Sequence, residues 1–193
     1  MTHLLDQYKD YGVLSLAEHW SCPLMWSHYA DQHKGVCIEY DFADSGFSSL
    51  RPVEYTDERS LKASQLLSIS DPMGEHNLVK QKLFYTKAPQ WAYEREWRDV
   101  RKAHGTVRSF AKVTAVYFGM RCDTAALAAL AQLLHAIDSS ISLNWVFPEH
   151  GRFQLTSKKI KLDELLKTTL ESNKEYDFAD YMKEFERRNS WMP

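Results

Sequence analysis

The chain has 193 residues, 44% of them hydrophobic and 26% charged, with a formal net charge of -2. This is the length of one domain, or one domain with a tail, and the composition of a folded globular protein without the basic field that draws a chain to nucleic acid. The longest apolar-rich run, residues 124–137, is too short and too rich in Ala to span a bilayer, and the opening MTHLLDQYKDYG lacks the basic-then-apolar pattern of a secretory leader.

Three cysteines (Cys22, Cys37, Cys122) stand at no framework spacing, which points to the reducing cytoplasm. Aromatics reach 13%, including six Trp, and need either a substantial core or a groove lined with rings.

In chain order, GVLSLA (12–17) reads as a strand. Ser21-Cys22-Pro23 starts a short helix over 24–30, with Pro in its first turn. Lys34-Gly35 ends that helix, and 36–40 alternates as a strand that puts Cys37 and Glu39 opposite Val36 and Ile38. Residues 41–49 form a loop. LRPVEY (50–55) is a further strand, which Pro52 assigns to an edge or a bulge. Within the polar stretch 60–87, residues 75–84 carry helical spacing, and 88–93 is a loop holding Pro89 and Trp91.

EWRDVR (96–101) alternates as a strand, and KVTAVYF (112–118) is a core strand ended by Gly119. Asp123 caps a helix over 124–137. Strands follow at 142–147 and 153–156 around a turn at 148–152, then amphipathic helices at 162–170 and 178–188. Strands and helices mix without a regular βαβ rhythm. The expected class is therefore α+β, a mixed or antiparallel central sheet with flanking helices. Residues 1–160 form one such domain, with the helices of 161–193 packing on it.

Three groups of residues could carry chemistry. His28, His33 and Cys37 are metal-ligand types, but H-x4-H-x3-C is no recognised zinc spacing and neither CxxC nor HExxH supports it, so no metal site is expected. On the short helix, Met25 and Tyr29 share one face and Leu24 and His28 another. Met25, Tyr29 and Trp26 pack on one half, and His28 either points into a cleft or is a hydrogen-bonded core histidine.

In WAYEREWR (91–98), Glu94 and Glu96 face the same way if both are extended, and repulsion raises the pKa of one. Arg98 then pairs with Glu96. The group is either a solvated strand face with a salt bridge or a carboxylate flanked by Trp91 and Trp97 at the floor of an aromatic cleft. No GxSxG, no phosphate-binding Gly-rich loop and no nucleophilic-cysteine motif is present, and the basic run 158–161 reads as a solvated helix start.

VLSLAEHWSCPLMWSHYADQHKGVCIEYDF, RPVEYTDE, KAPQWAYEREWR and VTAVYFGMRCD resemble, in order, the blocks of an uncharacterised, mostly bacterial family, domain of unknown function 2971, over residues 12–125. The family's usual upstream segment, a Tyr-rich strand with an Asn-Asp-Pro-Phe element, has no counterpart here.

The family layout is loosely similar to ADP-ribosyltransferase-like folds. That similarity implies an NAD-using transferase or glycohydrolase, or a degenerate form of one. Glu96 or Glu94 would be the ribose-stabilising carboxylate, His28, Tyr29 and Trp26 would line the pocket, Trp91 or Trp97 would stack on the base, and Arg98 would lie beside them. The alternative is a non-enzymatic module that binds a small molecule or a protein, in a mobile-element or phage-defence setting. A homodimer covering an open sheet edge would be part of it. Nucleic acid and membrane are not expected partners.

Overall fold

The computed structural model describes residues 6, 8–42, 50–62, 77–102, 105, 111–171 and 187. In chain order the elements are β1 (Gly12–Ala17), α1 (Pro23–Tyr29), β2 (Val36–Asp41), β3 (Leu50–Pro52), β4 (Glu54–Tyr55), α2 (Leu78–Phe84), β5 (Thr86–Lys87), a 3-10 helix (Pro89–Glu94), β6 (Glu96–Arg101), β7 (Lys112–Phe118), α3 (Thr124–Ile137), β8 (Ser142–Pro148), β9 (Leu155–Lys159) and α4 (Leu162–Glu171). The class is α+β, as the sequence predicts. The chain divides into two compact units, Met1–His19 with Asp44–Ala111, and Trp20–Ala43 with Lys112–Pro193.

In the first unit, β6 lies between β1 and β3, antiparallel to both. Being central, it buries Glu96, Asp99 and Val100. The predicted strand 50–55 is split in two. Pro52 has no N–H to continue the ladder. The next N–H, of Val53, still reaches Glu96 O (2.8 Å), but that of Glu54 turns to Tyr85 O (2.8 Å), and β4 then pairs in parallel with β5.

Asn77 starts α2, its Oδ1 accepting from the N–H groups of Val79 (2.7 Å) and Lys80 (3.4 Å). The rings of Tyr8 and Tyr11 pack on Phe84 at its end, with centroids 5.8 and 5.7 Å away. The predicted loop 88–93 is the 3-10 helix, with Pro89 in its first turn.

In the second unit the sheet order is β2-β7-β8-β9. β7 and β8 are parallel and joined through α3, so one βαβ step is present where no such rhythm was expected. Asp123 caps α3 by accepting from Ala126 N–H at 2.8 Å. Val116, Phe118, Leu143 and Trp145 on one sheet face pack against Leu127 and Ala131 of α3, with Leu162 and Leu165 of α4 at the margin. On the other face Val146 and Leu155 pack with Trp26 and Ala30, bordered by Trp20, Cys37, Tyr117 and Met120. The sheet is thus the middle of three layers.

Register shifts at Thr114, because Glu39 faces Ala115 while Tyr40 faces Val113. This bulge turns Val113 onto the α3 face. The last strand begins at Leu155 rather than at residue 153, since Glu149 N–H closes the turn on Gln154 O (2.9 Å) and leaves Phe153 exposed.

The link from α1 to β2 is the most constrained backbone. Asp31, Gln32 and His33 have φ of 42°, 54° and 71°, three successive left-handed residues without a glycine. Each costs roughly 1–2 kcal/mol. Hydrogen bonds hold the turn: His33 N–H to Trp26 O (3.2 Å), Gly35 N–H to Ala30 O (2.8 Å) and Arg121 N–H to His33 O (3.0 Å).

No helix among the described residues is long and apolar enough to cross a membrane. Of the predicted loop 41–49, Asp41 belongs to β2 and residues 43–49 lie outside the described residues, as do the stretch 63–76 and the predicted helix 178–188 apart from residue 187.

The turn also dictates a glycine. A Cβ at Gly119 would stand 2.0 Å from His33 O. Gly119→Ala is expected to lower unfolding free energy by about 3 kcal/mol, through overpacking against backbone that cannot yield. Gly151→Ala, at φ 71° but with nothing within 4 Å, meets only the left-handed penalty of about 1 kcal/mol. Urea denaturation of both variants measures the contrast.

Candidate functional site

The sequence expects Glu94 and Glu96 to be neighbours on an extended chain. They do converge, by another route. Glu94 ends the 3-10 helix, Glu96 begins β6, and Arg95 between them is left-handed (φ 44°, ψ 53°). The kink directs both carboxylates to Lys87 Nζ, Glu94 in a direct ion pair and Glu96 at 3.2 Å. Glu96 also takes a two-pronged contact from Arg98, Nε to Oε1 at 2.8 Å and Nη2 to Oε2 at 3.0 Å. Arg98 is itself fixed by Nη1 donating to Phe84 O at 2.6 Å. The Glu96 main-chain N–H donates to Tyr55 Oη at 2.8 Å. Lys87 Nζ sits 4.8 Å from the centroid of the Trp91 ring, within reach of a cation–π contact.

Glu94 and Glu96 are only 2% and 6% exposed. Two carboxylates buried with one ammonium and one guanidinium form a neutral set, the condition under which such burial is tolerated. Repulsion between the carboxylates does not raise Glu96. Burial alone would push it up, but hydrogen bonds from Arg98 and Ser15 and the charges of Arg98 and Lys87 outweigh this and hold it below the ordinary carboxylate range. Lys87 moves the other way. Burial alone would lower it, but bonds to Glu94 and Glu96 and their charges keep it above the ordinary lysine range.

Trp97 does not flank this group. Residues alternate along β6, so Trp97 falls on the opposite face from Glu96 and Arg98. Its indole N–H donates to Glu18 Oε1 at 3.0 Å. Asp99 shares that alternation and pairs with Arg101 at 2.6 Å. Lys87, Ser15 and Tyr55 escaped the sequence reading. For Lys87 the signal was available, since it heads the block KAPQWAYEREWR.

His28, Tyr29 and Trp26 belong to the second unit, whereas Glu94, Glu96, Trp91, Trp97 and Arg98 belong to the first. Trp26, not Tyr29, is the buried residue of α1, and its indole N–H donates to Trp20 O at 2.5 Å. Tyr29 is 62% exposed, and His28 is exposed beside it with ring centroids 6.2 Å apart. The faces are rotated from those expected because Trp26 and Ala30, four apart, take the buried stripe.

The histidine with a built environment is His33. It lies parallel to the Trp26 ring (6.4 Å, 9°), and its Nε2 is 3.0 Å from Ser27 Oγ. Ser27 Oγ also lies within hydrogen-bonding distance of Pro23 O (3.1 Å), the carbonyl one turn before it on α1. Burial, then the Arg121 charge, lowers His33 below the ordinary histidine range, and its Nδ1 is buried without a hydrogen-bond partner. Among the described residues no group of three or more His, Cys, Asp or Glu is arranged to hold a metal ion.

The shifts define a pH window for stability. Glu96 is depressed, so its contribution is present above the unfolded glutamate value of about 4.3 and is lost as pH falls through the lower folded value. Lys87 is raised, so its contribution is present below about 10.4 and is lost as pH rises through the higher folded value. Glu96→Gln, which leaves Arg98 and Lys87 undercompensated, is expected to cost about 3 kcal/mol near neutral pH and to flatten the acid limb. Denaturation midpoints measured across pH for wild type and variant test both limbs.

A search of curated proteins and a search of solved structures each give no match to the chain. The blocks around α1, β3 and β6 do find a family: residues 25–98 match the model described as Protein of unknown function (DUF2971), the family that the sequence resembles.

Proposed function

We propose that the chain is a non-enzymatic binding module, in which the Lys87–Glu94–Glu96–Arg98 group is a structural clamp of the first unit. One observation carries this reading: the charge of Glu96 is already answered by a two-pronged arginine and a lysine. Stabilising a cationic, ribose-centred transition state asks for a carboxylate whose field is aimed at the substrate and not cancelled by fixed cations. Glu96, buried among Arg98, Lys87 and Ser15, is spent on the fold. Of the residues that the resemblance places in a pocket, His28 and Tyr29 are exposed on α1 and Trp26 is buried in the core.

Self-association belongs to the same reading. β2 is an edge strand of its sheet among the described residues, and it exposes Val36 and Ile38. An unpaired edge with apolar side chains is a surface that a second copy can cover.

Two measurements test this. Purified protein incubated with NAD at millimolar concentration is expected to show neither binding by calorimetry nor release of nicotinamide. Turnover that disappears in a folded Glu96→Gln variant would restore the transferase reading. Light scattering is expected to give the mass of a dimer, with Ile38→Lys shifting it to monomer, and a strict wild-type monomer removes self-association.

A further inference from the structure

A second carboxylate, on the second unit, is treated by the fold in the opposite way. β2 alternates so that Cys37 and Glu39 share the sheet face carrying Tyr117 of β7. Glu39 Oε1 accepts from the Thr114 hydroxyl at 2.7 Å and Oε2 accepts from the Tyr117 hydroxyl at 2.9 Å. Thr114 is the extra residue of the β7 bulge, the kind of irregularity that re-aims a side chain. The Trp20 ring stacks on Tyr117, with centroids 4.6 Å apart and planes at 21°.

Glu39 is exposed, and no cation pairs with it among the described residues. Burial, followed by the hydrogen bond to and the charge of Glu39, pushes the Tyr117 hydroxyl up to about 12, so it stays a donor at every physiological pH. The carboxylate is therefore oriented by two neutral donors, one on each oxygen, rather than by a cation.

Each oxygen retains a free lone pair on the side away from its hydroxyl. Two parallel N–H donors in one plane fit that pair, which is the geometry of a guanidinium and not of an ammonium. The Trp20 indole, stacked on the same Tyr117 ring whose hydroxyl holds Oε2, is an aromatic group of the kind a planar cation stacks on.

We propose that Glu39, held by Thr114 and Tyr117 beside the Trp20 ring, binds a guanidinium group of the kind an arginine side chain carries. The site lies in the second unit and does not depend on how the Glu94–Glu96 group is read.

The test is a titration of the full chain followed by the Trp20 indole N–H resonance, assigned with Trp20→Phe. The probes are Nα-acetyl-arginine methylamide, its lysine counterpart and a short neutral peptide with one central arginine. Both guanidinium probes are expected to give a saturable shift, and the lysine probe to bind more weakly. Glu39→Gln, with an unchanged circular dichroism spectrum, is expected to weaken binding about tenfold or more, the loss of charge-assisted hydrogen bonds. Thr114→Val or Tyr117→Phe keeps the charge and is expected to lose affinity severalfold.

Equal affinity for the small arginine derivative and the peptide identifies a free guanidinium compound as sufficient. Much tighter peptide binding identifies an arginine on a partner protein. No saturable shift with either guanidinium probe, or a Glu39→Gln variant that binds as wild type does, overturns the proposal.

Discussion

Burial of two carboxylates next to each other is the constraint on which the first unit is organised. Taking each ion out of water costs several kcal/mol, and only matched, well-aligned cations offset it. Lys87 and Arg98 are those cations, and they come from different elements. β5 brings Lys87 because β4 pairs with it in parallel, which in turn follows from Pro52 ending the β3 ladder. Arg98 is aimed by the carbonyl of Phe84, the last residue of α2. Tyr55 closes the set through the Glu96 main chain. Strand, helix and 3-10 turn are thus tied at one electroneutral point, which an isolated two-stranded pairing as short as β4 with β5 could not maintain alone.

The second unit relies on layering. Alternation along β7 sends Val116 and Phe118 to α3 and Tyr117 to the Trp20–Trp26 side, so one strand serves both cores. The left-handed turn at Asp31–His33 is the local cost of bringing α1 back onto that sheet. It persists because the turn carbonyl of His33 is held by Arg121 N–H and because Gly119 lets the two backbones approach. A side chain at residue 119 and the turn at 31–33 exclude each other, which couples the end of β7 to the start of β2.

Much of this fold was legible. The strands at 12–17, 36–40, 96–101 and 112–118 and the capped helix at 124–137 follow from local periodicity and end signals, which belong to the sequence itself. What was hidden depends on partners distant in sequence. β5 is two residues long and exists only because β4 lies beside it. The bulge at Thr114 is a matter of register, and register is a property of two strands. On α1 the spacing defined possible faces, but in a seven-residue helix nothing local says which face turns inward; the answer, Trp26 with Ala30, came from the sheet. The clamp was half legible for the same reason. Glu96 and Arg98, two apart on a strand, must meet, whereas Lys87 reaches them across the 3-10 helix and an unforeseen left-handed Arg95.

The contrast between Glu96 and Glu39 separates a carboxylate that holds a fold from one that can hold a ligand. Both are oriented through both oxygens. The donors to Glu96 include a guanidinium and an ammonium, so orientation and neutralisation arrive together and nothing is left to attract a further charge. The donors to Glu39 are hydroxyls, which fix direction but bring no opposite charge. In water a free carboxylate samples many rotamers, and fixing one has an entropic cost that a ligand would otherwise meet on binding. Thr114 and Tyr117 meet it in advance. The bulge that puts Thr114 in reach also turns Val113 into the α3 core, so the preorientation of Glu39 is secured by packing on the far side of the same strand.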